Sequence, residues 1–184
     1  MKLKDLSDEK LVDLVTNKNK EYYSEIIERY ESKLLSYVRR LTSGSPEARD
    51  IVQNTLIKVY ENLKGFDQNK KFSSWVYRIA HNEAINWLRK KKASISLDED
   101  DFKVDFLKSN GNIFKKITDK EGAERINALI NELPQKYKEP FILKFFEHKT
   151  YVEISDILRM PKNTVGTMIS RARRTLKKEL KKLP

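Results

Sequence analysis

Residues 150–182 read TYVEISDILRMPKNTVGTMISRARRTLKKELKK. Ile154, Leu158, Met160 and Val165 surround the small Ser155 at the spacing of a helix, a tight turn and a second helix packed across the first. The second helix runs into Arg171, Arg173, Arg174, Lys177, Lys178, Lys181 and Lys182. A compact helix pair with one strongly basic helix suits the major groove of DNA. The plainer alternative is an amphipathic hairpin with a solvated basic face.

The same periodicity extends toward the N-terminus and makes the chain all-α. Ser7 can cap a short helix carrying Leu11, Leu14 and Val15. From about Glu21 to Leu41, apolar residues from Tyr23 to Leu41 recur every three or four positions. Thr42 to Pro46 breaks this helix, and Ser45 as cap with Pro46 as first helical residue opens the next. That helix is expected to bury Ile51, Val52, Thr55, Leu56, Val59, Tyr60 and Leu63 and to end at Gly65. A polar loop, Asp67 to Lys71, leads to a fourth helix starting at Ser73 or Ser74 and ending at the basic run Arg89 to Lys92. Periodicity then fades. Residues 93–119, with Asp98, Glu99, Asp100 and Asp101, read as a linker, with a short helical turn near Phe102 to Leu107. Helical pattern returns from Ala123, stops at Pro134 and resumes at Pro140. The expected organisation is two small helical modules, residues 1–92 and 120–184, joined by a flexible tether.

The net charge of +11 is unevenly spread. Residues 1–92 carry +6, 93–122 carry −2 and 123–184 carry +7. Two basic blocks flanking an acidic bridge fit a polyanion touched at both ends. The chain has no cysteine, which excludes a disulfide framework and thiolate chemistry. Neither His81 nor His148 stands in a metal-ligand spacing, and no phosphate loop or nucleophile elbow occurs. The acidic cluster has no resemblance to a calcium loop. No metal, cofactor or enzymatic chemistry is expected. The N-terminus lacks the apolar core of a signal peptide, and no run approaches a spanning helix, so a cytoplasmic protein without membrane insertion is expected.

Phe72 to Lys92 interleaves Phe72, Trp75, Tyr77 and Trp87 with Arg78, His81, Asn82, Asn86, Arg89, Lys90, Lys91 and Lys92. Aromatic faces beside cations suit single-stranded nucleic acid, and asparagine amides can pair with base edges. Against this, Trp75 and Ile79, four apart, fit a core position, and a lone histidine on a basic helix reads as a surface or stacking residue.

Phe72-Ser-Ser-Trp75-Val-Tyr77-Arg78-Ile79-Ala80-His-Asn82 resembles the promoter-melting, −10-reading helix of bacterial sigma factors of the sigma-70 family, extracytoplasmic-function (ECF) group. Ser45 to Tyr60, with its Asp50-x-x-Gln53 core, is similar to the preceding conserved region. Leu133-Pro134 through Thr164-Val165 to Arg171-Ala172-Arg173 is similar to the C-terminal one. The resemblance covers nearly the whole chain apart from the linker.

The resemblance implies a role for each segment. Asp50, Gln53 and Asn54 would dock on the β′ clamp helices of core RNA polymerase, with Asn54 replacing a usual acid. The loop from Phe66 to Phe72, with Lys70 and Lys71, and Asn82 correspond to where a flipped-out base is captured. Trp75, Tyr77 and Asn86 belong to the same −10 surface, and Arg78, Arg89, Lys90 and Lys91 would hold phosphates. The C-terminal hairpin would read the −35 element through Lys162, Asn163, Thr164, Thr167, Ser170 and Arg171, with Arg174 and Lys178 on phosphates. Arg159 stands at a turn position where glycine is usual, and Gly166 and Met168 replace groove-facing basic residues. Further implied partners are the β flap, promoter DNA and an anti-sigma factor. The competing readings are a stand-alone helix-turn-helix regulator with an N-terminal dimerisation or sensing bundle, and a protein-interaction module.

Overall fold

The structure is a computed structural model that describes residues 2–97 and 127–181, and among these every regular element is helical. Helix α1 spans Asp8–Asn17, and the Ser7 hydroxyl accepts from the Lys10 amide at 3.3 Å, satisfying one of the N–H groups a helix start leaves open. A short turn at Lys20–Tyr22 leads into α2, Tyr23–Leu41. Helix α3 is Ala48–Asn62 and α4 is Phe72–Leu97. In the C-terminal half, residues 127–132 form α5, followed by α6 Gln135–Phe145, α7 Tyr151–Leu158 and α8 Lys162–Lys181.

Four local expectations change. The Ser45 side chain does not cap α3: its hydroxyl bonds the Glu47 carboxylate while its carbonyl accepts the Ala48 amide, and the helix begins at Ala48. Tyr60 is 40% exposed, with its ring edge-to-face against Tyr23 at 5.0 Å. Helix α4 continues through Leu97, past the basic run expected to end it. Pro140 lies inside α6, which begins immediately after Pro134. An interior proline forfeits one helical hydrogen bond; here it is buried among the residues of α6 that face the core. The turn expected at Phe102 to Leu107 lies outside the described residues.

The two modules do not stand apart. One continuous core runs from Leu11, Leu34, Tyr37, Val59 and Phe72 through Val76 and Ala80 to Ile142, Leu143, Ile154, Ile157 and Val165. Helix α4 is central to it, packing on α3 on one side and on α7 on the other. At the N-terminal end, Arg29 donates to Asp8 at 2.8 Å, Glu25 at 2.9 Å and the carbonyls of Leu6 and Leu3, tying α1 and its approach to α2.

Between α7 and α8, Arg159 adopts φ 51°, ψ 46°, the left-handed region where a Cβ is unfavourable. A Cβ added at Gly166 in α8 meets nothing within 4 Å. Arg159→Gly and Gly166→Ala are therefore each expected to raise unfolding stability by about 1 kcal/mol, measured as a higher urea midpoint. An unchanged or lower midpoint for either removes the corresponding backbone argument.

Candidate nucleic-acid and polymerase interface

With α3 and α7 on its flanks, α4 leaves one narrow face open. Arg78, Asn82, Asn86 and Arg89 follow one another at helical spacing along it. Asn82, Asn86, Arg89, Lys90 and Lys91 are exposed and Arg78 is half-buried. Trp87 is half-buried beneath Lys91, whose Nζ stands 4.8 Å from the ring centroid. Lys70 and Lys71 are exposed at the helix entry.

The other aromatics face inward. Phe66 and Phe72 are buried edge-to-face at 5.2 Å, and Trp75 packs on both, at 5.3 and 5.7 Å. Tyr77 is 2% exposed and lies 5.3 Å from Tyr37. In this arrangement the rings of Phe66, Phe72 and Tyr77 are not presented to a base; only Trp75 and Trp87 keep partly open faces. Sequence reading also missed Glu9, whose carboxylate accepts the Phe72 amide at 3.1 Å and so places a negative charge at the start of α4.

A cleft of about 300 Å³ opens beside this face, lined by Lys58, Asn62, Trp75, Arg78, Asn82 and Arg159 among others. Burial lowers the pKa of the Arg78 guanidinium, with Arg159 acting in the same direction and Asp156 opposing it.

On α3, Asp50, Gln53 and Asn54 are all exposed on one face. Ile57, 56% exposed, continues that face one turn on. It adds an apolar centre to the polar set, a feature that an exposed isoleucine among buried neighbours hid from periodicity.

On α8, Lys162, Asn163, Thr167, Ser170, Arg171, Arg174 and Lys178 are exposed, while Thr164 is half-buried. The Thr167 hydroxyl donates to the Asn163 carbonyl at 3.0 Å, leaving its lone pairs to accept. Beside this face a groove of about 600 Å³ runs along the packed pair α6 and α8, with an apolar floor of Phe141, Phe145, Tyr151, Ile169 and Leu176 and a basic rim of Arg173, Arg174 and Lys177. Helix α7 is fixed by a capping box: the Thr150 hydroxyl accepts the Glu153 amide, and Glu153 accepts the Thr150 amide at 2.8 Å. Burial pushes the Glu153 carboxyl up, but Thr150 and Lys71 outweigh it and hold the group at about 2.

His81 is not the surface residue its place on a basic helix implied. Its side chain is 12% exposed between the modules. Its Nδ1 lies 3.1 Å from the Tyr37 hydroxyl and its Nε2 3.8 Å from Glu139. Burial lowers its pKa to about 4, so the ring is neutral, and burial raises that of Glu139. Among the described residues no group of three His, Asp or Glu side chains is placed to hold a metal, and no helix is long and apolar enough to cross a membrane.

The depressed pKa fixes a sign. Stability contributed by neutral His81 is complete above its ordinary value of 6.5 and lost as pH falls toward 4. Glu139, with its carboxyl raised, acts oppositely, gaining as it protonates. The His81 part alone amounts to about 2 kcal/mol lost between pH 7 and 5. His81→Gln is expected to flatten the decline in unfolding free energy over this window; an equally steep decline in the variant assigns it to other groups.

The Sigma-70 region 2 family model matches residues 26–94, and Sigma-70 region 4 matches residues 123–176. The ECF RNA polymerase sigma factor SigW of Bacillus subtilis is 33% identical, over 95% of this chain and 97% of its own length. The ECF RNA polymerase sigma-E factor of Escherichia coli is 30% identical, over 97% and 96%. Among solved structures, CnrH in complex with the cytosolic domain of CnrY superposes with a TM-score of 0.70 at 19% identity, over 95% of this chain and 97% of that one. RpoE of Bartonella quintana, in complex with the anti-sigma factor NepR, gives 0.72 at 22% identity, over 86% and 96%.

Proposed function

We infer, since this chain belongs to the sigma-70 family of RNA polymerase subunits, in its extracytoplasmic-function group, that its three exposed faces divide the work of a promoter-specificity subunit. The chain is an alternative sigma factor: it joins core RNA polymerase, recognises promoter elements and helps open the duplex. Phosphoryl transfer belongs to the core enzyme, and the work is done in the cytoplasm, where that enzyme is.

The α3 face of Asp50, Gln53, Asn54 and Ile57 docks on the β′ clamp helices, with the apolar Ile57 at the centre of a polar rim. The groove along α6 and α8, with its apolar floor, takes a helix of the β flap. The exposed face of α8 reads the −35 element through Lys162, Asn163, Thr167, Ser170 and Arg171, while Arg174 and Lys178 hold phosphates. An anti-sigma factor regulates the chain by covering these faces.

The observation that carries the −10 assignment is the α4 stripe. Two exposed asparagine amides stand one helical turn apart, flanked by cations, and the first of them, Asn82, lines a cleft with a partly open tryptophan. An amide pair reads base edges, and the tryptophan returns some of the stacking an extruded base gives up. A sensor bundle on a stand-alone regulator has no use for such a stripe.

Adding the purified chain to core polymerase is expected to give promoter-dependent run-off transcripts across a promoter library; no core binding and no transcripts would sink the reading. Asn82→Ala is expected to slow open-complex formation about tenfold or more, on the scale of one base contact, at unchanged core affinity. Equal loss of both would make Asn82 structural. Arg174→Ala is expected to weaken promoter binding by a similar factor on every sequence and to lower the salt slope by about one. A sequence-dependent loss would instead make Arg174 a base reader.

A further inference from the structure

Away from the three faces already described, a cleft of about 650 Å³ opens between α2 and α5. Ser32, Ser36, Arg39 and Ser43 line one wall, and their spacing of four, three and four residues puts them on one face of α2 and the turn that ends it. Asn127 and Asn131, four apart on α5, line the other wall. Leu35, Ala128 and Ile130 add apolar surface. Among the described residues no carboxylate lines the cleft.

Positive charge collects at the end of the cleft nearest the turn. Arg39 is exposed there. Arg40 gives its Nη1 to the Ser36 carbonyl at 3.3 Å and to the Ser36 hydroxyl, while its Nε is buried without a hydrogen-bond partner. Lys138, 2% exposed, stands behind the Ser43 hydroxyl and donates to it at 2.9 Å, which engages one of its three N–H groups. Ser43 itself holds φ 56°, a left-handed conformation that a non-glycine residue keeps only when its surroundings impose it. The C-terminus of α2 sets only about half a negative charge against these three cations. An anion held by Arg39 and Ser43 would supply the missing counter-charge, and it would favour the Lys138 ammonium that burial disfavours.

We propose that the cleft between α2 and α5 binds an adenine nucleoside diphosphate, with its phosphates at Arg39, Arg40 and Ser43 and its base between Leu35 and the α5 wall. The volume is that of a small-ligand site. Guanidinium groups and a hydroxyl are the donors that phosphate oxygens take, and the planar arginine fork matches them in geometry. The two asparagines select the base. An amide offers one donor and one acceptor side by side, which pairs with N7 and the N6 amino group of adenine, whereas guanine presents two acceptors on the same edge. None of the residues assigned to promoter or polymerase lines this cleft, so the proposal goes beyond that reading and does not depend on it. A bound nucleotide touches both ends of the described chain, and it stabilises their packing by mass action.

Calorimetric titration of the full chain with ADP is expected to reach half-saturation below about 1 mM. GDP and inorganic pyrophosphate are each expected to bind about tenfold more weakly, the first for want of the base contact and the second for want of any base. Arg39→Ala is expected to weaken ADP about tenfold, and Asn127→Ala with Asn131→Ala to bring ADP and GDP to the same affinity. Lys33→Ala removes an exposed cation of α2 that does not line the cleft, and it leaves ADP binding unchanged. All four side chains are exposed, so each variant keeps its helical circular dichroism. No binding at about 1 mM ADP, GDP bound as tightly as ADP, or an equal loss in Lys33→Ala overturns the site. A short oligodeoxyadenylate that displaces ADP and binds more tightly makes the cleft a strand-binding surface and overturns it as well.

Discussion

Tyr77 is the point on which the two halves of this molecule turn. Its ring completes the N-terminal core against Tyr37, and its hydroxyl leaves that core to reach Glu147. A buried tyrosine has to find a partner for its O–H, and the partner here belongs to the other module. Burial beside Glu147 pushes the phenol well above its ordinary pKa, so it stays a donor at all working pH. Everything else about α4 follows from being packed on two sides. Its inward faces are spent on Phe72, Val76, Ala80 and Ala84, and the strip that remains is the polar stripe from Arg78 to Arg89.

The junction is polar where a permanent interface would be oily. Alongside Ile142, Leu143, Ile154 and Ile157 it contains His81, Glu139, Lys138 and Lys149. Lys138 is 2% exposed and its pKa falls to about 8, because burial disfavours the ammonium and Glu139 only partly compensates. Its Nζ reaches the turn after α2, where the negative end of that helix's dipole offers the remaining help. Groups of this kind contribute little net stability, since their desolvation offsets their pairing, but they penalise any misalignment heavily. The apolar residues supply the attraction and the polar ones fix how the modules meet.

Local chemistry was legible in the sequence. The Ser7 cap, the break after Leu41, the end of α3 at Leu63–Gly65 and the hairpin of α7 and α8 follow from residues within a turn or two of each other. So did the exposed set on α8, because a helix with one apolar stripe has only one way to face its module. Helix α4 was harder for the same reason inverted. With two buried sides, its aromatics sit at positions that periodicity alone cannot divide between a core and a binding surface. Phe66, Phe72 and Tyr77 went inward, and His81 followed them. Partners distant in sequence decided each case: Glu9 for the Phe72 amide, Glu147 for Tyr77, Tyr37 for His81. Pro140 was misleading because a proline usually opens a helix; here the neighbouring helices keep one within a helix already begun.

The thin readout of α8 gains meaning from this architecture. Gly166 gives no side-chain contact, and the Thr167 hydroxyl is already committed as a donor within the helix. On the proposed reading such a helix draws its hold on DNA mainly from Arg174 and Lys178, which position it without discriminating strongly among sequences. A weak reader of this kind becomes selective only when a second reader is bound beside it, because two readers in one chain turn two modest affinities into one large one. Discrimination therefore depends less on any single base contact than on which DNA, with polymerase in place, can hold both modules at once.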